Sequence, residues 1–238
     1  MSLTTGRGPL SARPAGRFTA PVPAQVAYIE PFRRRVRAVA GGRTVVDSER
    51  VLLVHRQGRA PTYAFPAGDV TGAESVAEPD APGYVTVPWG GADAWYEEDE
   101  EVFVHARDPF RRIDCLPSSR HVQVFVDGEI VADSRRGIFL FETGMPTRHY
   151  LPIADTRLDM LSPSRYISRC PYKGIASYYH LTVNGKRHEN LVWYYPDPVH
   201  EAARIKGLVC FYHEFVERIR VDGVEQPRPV TASSHGYY

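Results

Sequence analysis

The stretch Val36–Asp69 aligns without a gap on Val122–Asp155 over 34 positions, each residue paired with the one 86 places later. Nine of these pairs are identical: Val36, Gly42, Val45, Asp47, Ser48, Arg50, Gly58, Pro66 and Asp69 recur in the later stretch. Average residue frequencies give about two identities by chance. The matches fall on turn residues and polar punctuation, not on interchangeable aliphatics, so the pattern reads as a duplicated unit. A chain that writes one unit twice is expected to fold as two similar pieces, and everything else in the sequence has to fit that plan.

Each piece opens as a β-hairpin. In "VQVFVDGEIVADS" apolar and polar residues alternate around Asp127-Gly128, a pair suited to the left-handed backbone of a tight turn, and Gly41-Gly42 stands at the same place in the first copy. Further apolar strands follow in the second copy: "GIFLFE", "SYYHLTV" turning at Asn184-Gly185, "GLVCFYHEF", and "ERIRV" before Asp222-Gly223. Helical signals are confined to "DPVHEAARIKG", where Asp197 suits the cap, Pro198 the first turn and Gly207 the end. Beyond the gapless block, "EVFVHARDPFRRID" from Glu101 resembles "LVCFYHEFVERIR" from Leu208, with Phe103 matched to Phe211 at an offset of 108, which makes the first copy 22 residues shorter. The segment it lacks contains "CPYKGIASYYH". The expected organisation is an N-terminal flexible tail (1–30), a degenerate first β domain (31–118), a complete second β domain (119–230) and a C-terminal tail (231–238), with the two β units packed on each other.

Composition narrows the function classes. Lys plus Arg (29) nearly balance Asp plus Glu (28), so the broad positive field of a nucleic-acid binder is absent. Cys115, Cys170 and Cys210 are odd in number and form no C-x-x-C pair, which argues against a disulfide framework or a structural zinc and suits a reducing cytoplasm. No apolar run approaches the roughly 18 residues of a membrane-spanning helix. Nucleic acid and membrane are therefore not expected partners. The histidines never stand at H-x-x-x-H spacing, and neither a nucleotide-binding glycine fingerprint nor a G-x-S-x-G elbow occurs. No metal and no cofactor is expected. "YEEDEE" (Tyr96 to Glu101) reads as a solvated connection between the units, and Arg33–Arg35 as a contact for an anion or for the other unit.

The series "GEIVADSRRGIFLFETGMPTRHYLPIADT", "SPSRYISRCPYKGIASYYHL", "VWYYPDPVHEAARIKGLVCFYHE" and "VDG" resembles the DUF427 family, small β-rich proteins of unknown function. The resemblance spans about Arg35 to Pro229, close in the second copy and degenerate in the first. It implies a mainly β, tent-like fold: two tandem small antiparallel β units of two packed sheets each, with one short helix in the second. It supplies no reaction. The family has also carried a nucleotidyltransferase label, but this chain shows no glycine-serine phosphate loop followed by a paired-aspartate metal site.

Three groups of residues are candidates for chemistry. Cys170 and Lys173 converge if Pro171 begins a turn that Gly174 releases, and an ammonium near a thiol raises its thiolate fraction. The competing readings are a ligand-anchoring lysine and a purely structural turn. Glu142 ends an apolar strand and needs a partner, Lys173 or Arg148. In the first copy Glu142 becomes Arg56 and Tyr150 becomes Ala64, whereas Pro152 and Asp155 persist as Pro66 and Asp69. Residues kept in both copies read as architecture, so Asp155 is expected to cap a turn, while Glu142 and Tyr150 read as site residues. Trp193, Tyr195 and Pro196 either wall a pocket or close the core, and Tyr178 and His180 share one strand face with Tyr179 on the other.

The resulting expectation is a second unit that binds a small polar or anionic ligand, with Glu142, Cys170 and Lys173 in catalytic roles if there is a reaction and Tyr150, Tyr178, Trp193 and Tyr195 lining the pocket. Glutamate would act as general acid or base, lysine as anchor and cysteine as nucleophile. Whether the protein is an enzyme stays open. The alternative is a non-catalytic interaction or scaffolding module whose aromatic motifs are core.

Overall fold

The computed structural model describes residues 2–23 and 25–231. The chain is mainly antiparallel β and divides into two compact units between Arg111 and Arg112. Among the described residues no helix is long and apolar enough to cross a membrane.

The first unit contains β1 (Ala27–Phe32), β2 (Val36–Ala40), β3 (Arg43–Ser48), β4 (Val51–Arg56), β5 (Thr62–Pro66), β6 (Val76–Ala77), β7 (Tyr84–Thr86), β8 (Ala94–Glu97) and β9 (Glu100–Val102). They form one sheet in the order β1-β4-β5-β7-β6 and another in the order β3-β2-β8-β9. Val36, Ala38, Leu53, Phe65 and Trp95 are buried in this unit's core.

The second unit contains β10 (Ile113–Ser118), β11 (Val122–Val126), β12 (Glu129–Ser134), β13 (Gly137–Glu142), β14 (Arg148–Pro152), β15 (Leu161–Cys170), β16 (Gly174–Val183), β17 (Lys186–Tyr194), β18 (Leu208–Phe211), β19 (Arg218–Val221) and β20 (Val224–Glu225). Its sheets run β10-β13-β14-β18-β17-β16-β15 and β12-β11-β19-β20. Val122, Val131, Leu140, Leu151, Leu181 and Ile219 are among the buried residues of its core.

The hairpin turns follow the sequence. Gly41-Gly42 and Asp127-Gly128 all have positive φ, as the tight turns after β2 and β11 require, and each of those strands carries a register shift at corresponding places, Ala38/Val39 and Val124/Phe125. One polar brace also recurs. Ser48 and Arg50 donate to Asp69 at 2.7 and 2.6 Å; Ser134 donates to Asp155 at 2.6 Å, and Arg136 pairs with the same carboxylate. The Arg136 hydrogen bond holds Asp155 below the ordinary carboxylate range. Asp155 thus ties β12 to the turn after β14, an architectural role.

Strand register corrects the alignment beyond the gapless block. Val209 lies opposite Leu151 as Val85 lies opposite Phe65, and Ile219 lies opposite Val124 as Trp95 lies opposite Ala38, an offset of 124 in both cases. By pairing position β7, β8 and β9 therefore correspond to β18, β19 and β20, with an offset of 124 where the sequence alignment used 108, so 38 fewer residues precede them in the first unit, not 22. Phe103 and Phe211 match only in residue type.

Other expectations shift with the register. β1 lies inside the stretch expected to be a tail and pairs with β4 (Ala27↔Arg56) as β10 pairs with β13 (Ile113↔Glu142). Further upstream, Ser2 donates to Asp108 at 2.7 Å and the Gly58 amide donates to the Thr4 carbonyl at 2.9 Å, so that stretch is bonded into its unit. Of the expected C-terminal tail, Thr231 donates to Glu214 at 2.6 Å, and 232–238 lie outside the described residues. "YEEDEE" does not connect the units: it ends β8 and turns into β9, with Glu98, Asp99, Glu100 and Glu101 exposed as expected and Glu97 buried, accepting from Tyr63 at 2.5 Å and pairing with Arg34. Arg35 pairs with Asp47. The short helix is a 3-10 segment, His200–Ile205, with Val199 rather than Asp197 at its cap; Asp197 instead accepts from Lys206 at 3.0 Å, and Gly207 at φ +77 ends the segment as expected.

Candidate functional site

The extra 38 residues of the second unit carry most of the candidate site. They extend the large sheet by β17, β16 and β15, where the first unit has only the two-residue β6. At the far end of the β15–β16 hairpin the chain turns through Pro171, Tyr172 and Lys173, with the Lys173 amide donating to the Cys170 carbonyl at 3.4 Å. Gly174 releases this turn at φ +97, and a Cβ there would lie 3.3 Å from the Asp197 carbonyl oxygen. Only glycine meets both conditions without strain. The Val199 amide donates to the Lys173 carbonyl at 3.2 Å, fastening the turn to the segment that leads into the 3-10 helix.

This turn delivers Lys173 to Glu142. The ammonium donates to the carboxylate at 2.5 Å, and the two side chains are 12% and 6% exposed. Of the two partners the sequence allowed for Glu142, Lys173 is the one in place. Arg148 is engaged elsewhere: both terminal nitrogens donate to Glu214, at 2.7 and 2.6 Å, and its guanidinium lies 5.4 Å from the centre of the Trp193 ring. Burial works to raise the Glu214 pKa, and the Arg148 hydrogen bonds outweigh it, leaving the carboxyl below its ordinary range. Glu214 was missed in the sequence because it stands 66 residues from its partner and carries no motif.

The aromatic candidates gather in the core of the same unit. Tyr150 is fully buried and accepts from the Trp193 indole at 3.0 Å. The Tyr178 hydroxyl lies 2.7 Å from that of Ser168 and 3.3 Å from that of Tyr212, a residue the sequence reading passed over. Tyr178 and His180 are buried on one face of β16 and Tyr179 lies half-buried on the other, as alternation required. Tyr150, Tyr178 and Trp193 therefore satisfy their polar groups among core neighbours.

Tyr195, just beyond β17, differs. It is 4% exposed, yet among the described residues its hydroxyl makes no hydrogen bond. Burial raises its pKa well above the ordinary value, reinforced by Tyr150, Cys170, Tyr178 and Glu142 around it, so the phenol keeps its proton.

Cys170 is a half-buried free thiol near Tyr150 and Tyr195; Cys115 and Cys210 are buried and also free. Burial pushes the Cys210 thiol up to about 12 and also raises that of Cys115. The ammonium expected to activate Cys170 is paired with the Glu142 carboxylate. Elsewhere in the unit an open cleft of about 320 Å³, lined by His213, Glu217, Arg218, Glu225 and Arg228 among others, contains none of the sequence-derived candidates.

Residues 114–222 match the model of a family described as a domain of unknown function, DUF427. That span runs from β10 through β19 and includes Glu142, Tyr150, Cys170, Lys173, Tyr178, Trp193 and Tyr195, while the first unit lies outside it. No match to a curated protein was found.

Proposed function

We propose that the second unit binds a small polar ligand at the Lys173–Glu142 pair and Tyr195, and that the first unit is a shortened copy retaining the scaffold without the site. The observation that carries the reading is the shielded Lys173–Glu142 pair, held by the turn between β15 and β16, with Tyr195 buried nearby and its hydroxyl making no hydrogen bond among the described residues. A phenol O–H left without a protein partner near such a pair is available to donate to a ligand oxygen. The recurring brace, the shared register shifts and the common offset of β7, β8 and β9 support the duplication. Three free thiols fit a protein working in the reducing cytoplasm.

Lysine holds the ligand through charge and Tyr195 through its O–H. Glu142 can take or release a proton, and Cys170 is the nearby nucleophile for any covalent step. The bond between Tyr150 and Trp193 favours a second reading, in which the aromatic cluster is core alone.

The test is a thermal-shift screen of small carboxylates, phosphates and amino acids against the full chain and two variants. Lys173→Met alone would strand a buried carboxylate at a cost of about 3–5 kcal/mol. The variants are therefore Tyr195→Phe and the double K173M/E142Q, which remove the O–H and both charges respectively. Stabilisation of the parent that both variants lose is expected. A null screen, or shifts that both variants retain, supports the core reading.

A further inference from the structure

The open cleft of about 320 Å³ in the second unit is walled by residues of β19, β20 and the chain on either side of them, and contains no part of the Lys173–Glu142 pair. Two arginines line it, each pinned by contacts that leave N–H groups unspent. Arg218 opens β19 with its guanidinium 4.3 Å from the centre of the Phe125 ring, and one terminal nitrogen pairs with Glu217. Its Nε is buried and has no partner among the described residues. Arg228 donates through Nη2 to the carbonyls of Val216 and Glu217, both at 2.9 Å. Its Nη1 and Nε make no hydrogen bond among the described residues, and no carboxylate there pairs with it.

The carboxylates of the cleft already have cationic neighbours. Glu217 takes Arg218 on one oxygen and the Gly128 amide, at 2.7 Å, on the other. Glu225 is exposed and stands directly across the β19–β20 pair from Arg220. Arg228 is left as the cation with neither an ion pair nor a cross-strand acid. His213 adds no charge near neutral pH, because burial lowers its pKa and Arg148 and Arg228 add to the effect. The chain that carries Arg228 is fixed on both sides, the Gln226 amide donating to the Ile219 carbonyl at 2.8 Å and Thr231 to Glu214 at 2.6 Å. A guanidinium positioned before its ligand arrives loses little freedom on binding.

We propose that this cleft binds a small organic anion through its phosphate or carboxylate oxygens, held by the unspent N–H groups of Arg228 with Arg218 as second donor. Charge-assisted hydrogen bonds from guanidinium to such oxygens are among the stronger polar contacts a protein makes. The cleft's volume lies at the lower end of the range for small-molecule sites, which leaves room for a carbon body beside the anionic group. The first unit lacks the arrangement: Ala94 lies opposite Val39 where Arg218 lies opposite Phe125. This site is separate from the Lys173–Glu142 pair and does not rest on it.

Calorimetric titration of the full chain with inorganic phosphate, ethyl phosphate and succinate, at neutral pH and constant ionic strength, tests this. Ethyl phosphate or succinate is expected to bind, the tighter of the two identifying the anionic group. Arg228→Gln should weaken that binding about tenfold, the worth of a charge-assisted hydrogen bond. Arg165→Gln, which removes an exposed arginine of β15 outside the cleft, should leave it unchanged, as should Tyr195→Phe. Because Arg228→Gln also frees two carbonyls, the parent is read directly by ¹⁵N NMR of arginine-labelled protein. The Arg228 Nε–H signal, assigned through Arg228→Lys, should move on saturation while that of Arg165 stays. Binding that survives Arg228→Gln, or that Arg165→Gln weakens equally, reflects net charge alone and overturns the proposal. Loss of binding in Tyr195→Phe would put the ligand at the Lys173–Glu142 pair instead. Saturation without movement of the Arg228 signal, or no binding by any probe at millimolar concentration, likewise overturns it.

Discussion

His149 shows how a single side chain makes this fold sensitive to pH. It is buried on β14 with its ring 4.6 Å edge-on to Phe139, and burial, with help from His213, Arg120 and Arg148, lowers its pKa to about 4. The unfolded chain titrates near the ordinary value of about 6.5. Above that pH the imidazole is neutral in both states and costs nothing. As pH falls from 6.5 towards 4 the unfolded chain takes up the proton first, so stability falls with it. The loss reaches on the order of 3 kcal/mol. Urea unfolding at pH 7.5 and pH 4.5 measures it: the parent is expected to lose stability over this interval, and His149→Tyr, which copies Tyr63 of the first unit, to lose substantially less. His213 is lowered by burial in the same direction and supplies part of the slope that remains.

At the level of elements, the turn between β15 and β16 controls whether the Lys173–Glu142 pair forms. Gly174→Ala would place a Cβ at φ +97 and 3.3 Å from the Asp197 carbonyl oxygen. A cost of about 1–3 kcal/mol is expected, read as a lowered urea midpoint with an unchanged slope. Glycines elsewhere explain why the hairpins could be read so directly: Asp127-Gly128 and Asn184-Gly185 announce a backbone that few other pairs adopt. β1 announced nothing. It is an edge strand, where Pro31 costs no ladder hydrogen bond, so a segment that reads as proline-interrupted tail still joins the sheet. The short helix was legible in place and end but not in type, because Asp197 turns to Lys206 instead of to the helix amides.

Across the whole molecule, the mainly β plan was legible in the sequence, and the proposed correspondence of the two units fades from it where strands are short. β7 spans only three residues and shares no turn signature with β18, so its equivalence is visible in pairing and not in residue types. The site shows a similar division. A cationic partner for Glu142, Lys173 or Arg148, could be expected in advance because an acid at the end of an apolar strand requires a cation, and the fold selects Lys173. The distinction between Tyr195 and the other aromatic candidates could not be read, since it depends on which hydroxyls find partners once the sheet is assembled. The decisive measurement is ¹³C NMR of tyrosine-labelled full-length protein, with the Tyr195 resonance assigned through Tyr195→Phe, upon saturation with whichever compound of the thermal-shift panel binds most tightly. The account predicts that the Tyr195 signal moves while Tyr28, Tyr63, Tyr84 and Tyr96 of the first unit stay in place. A ligand that shifts first-unit tyrosines and leaves Tyr195 unmoved would contradict it.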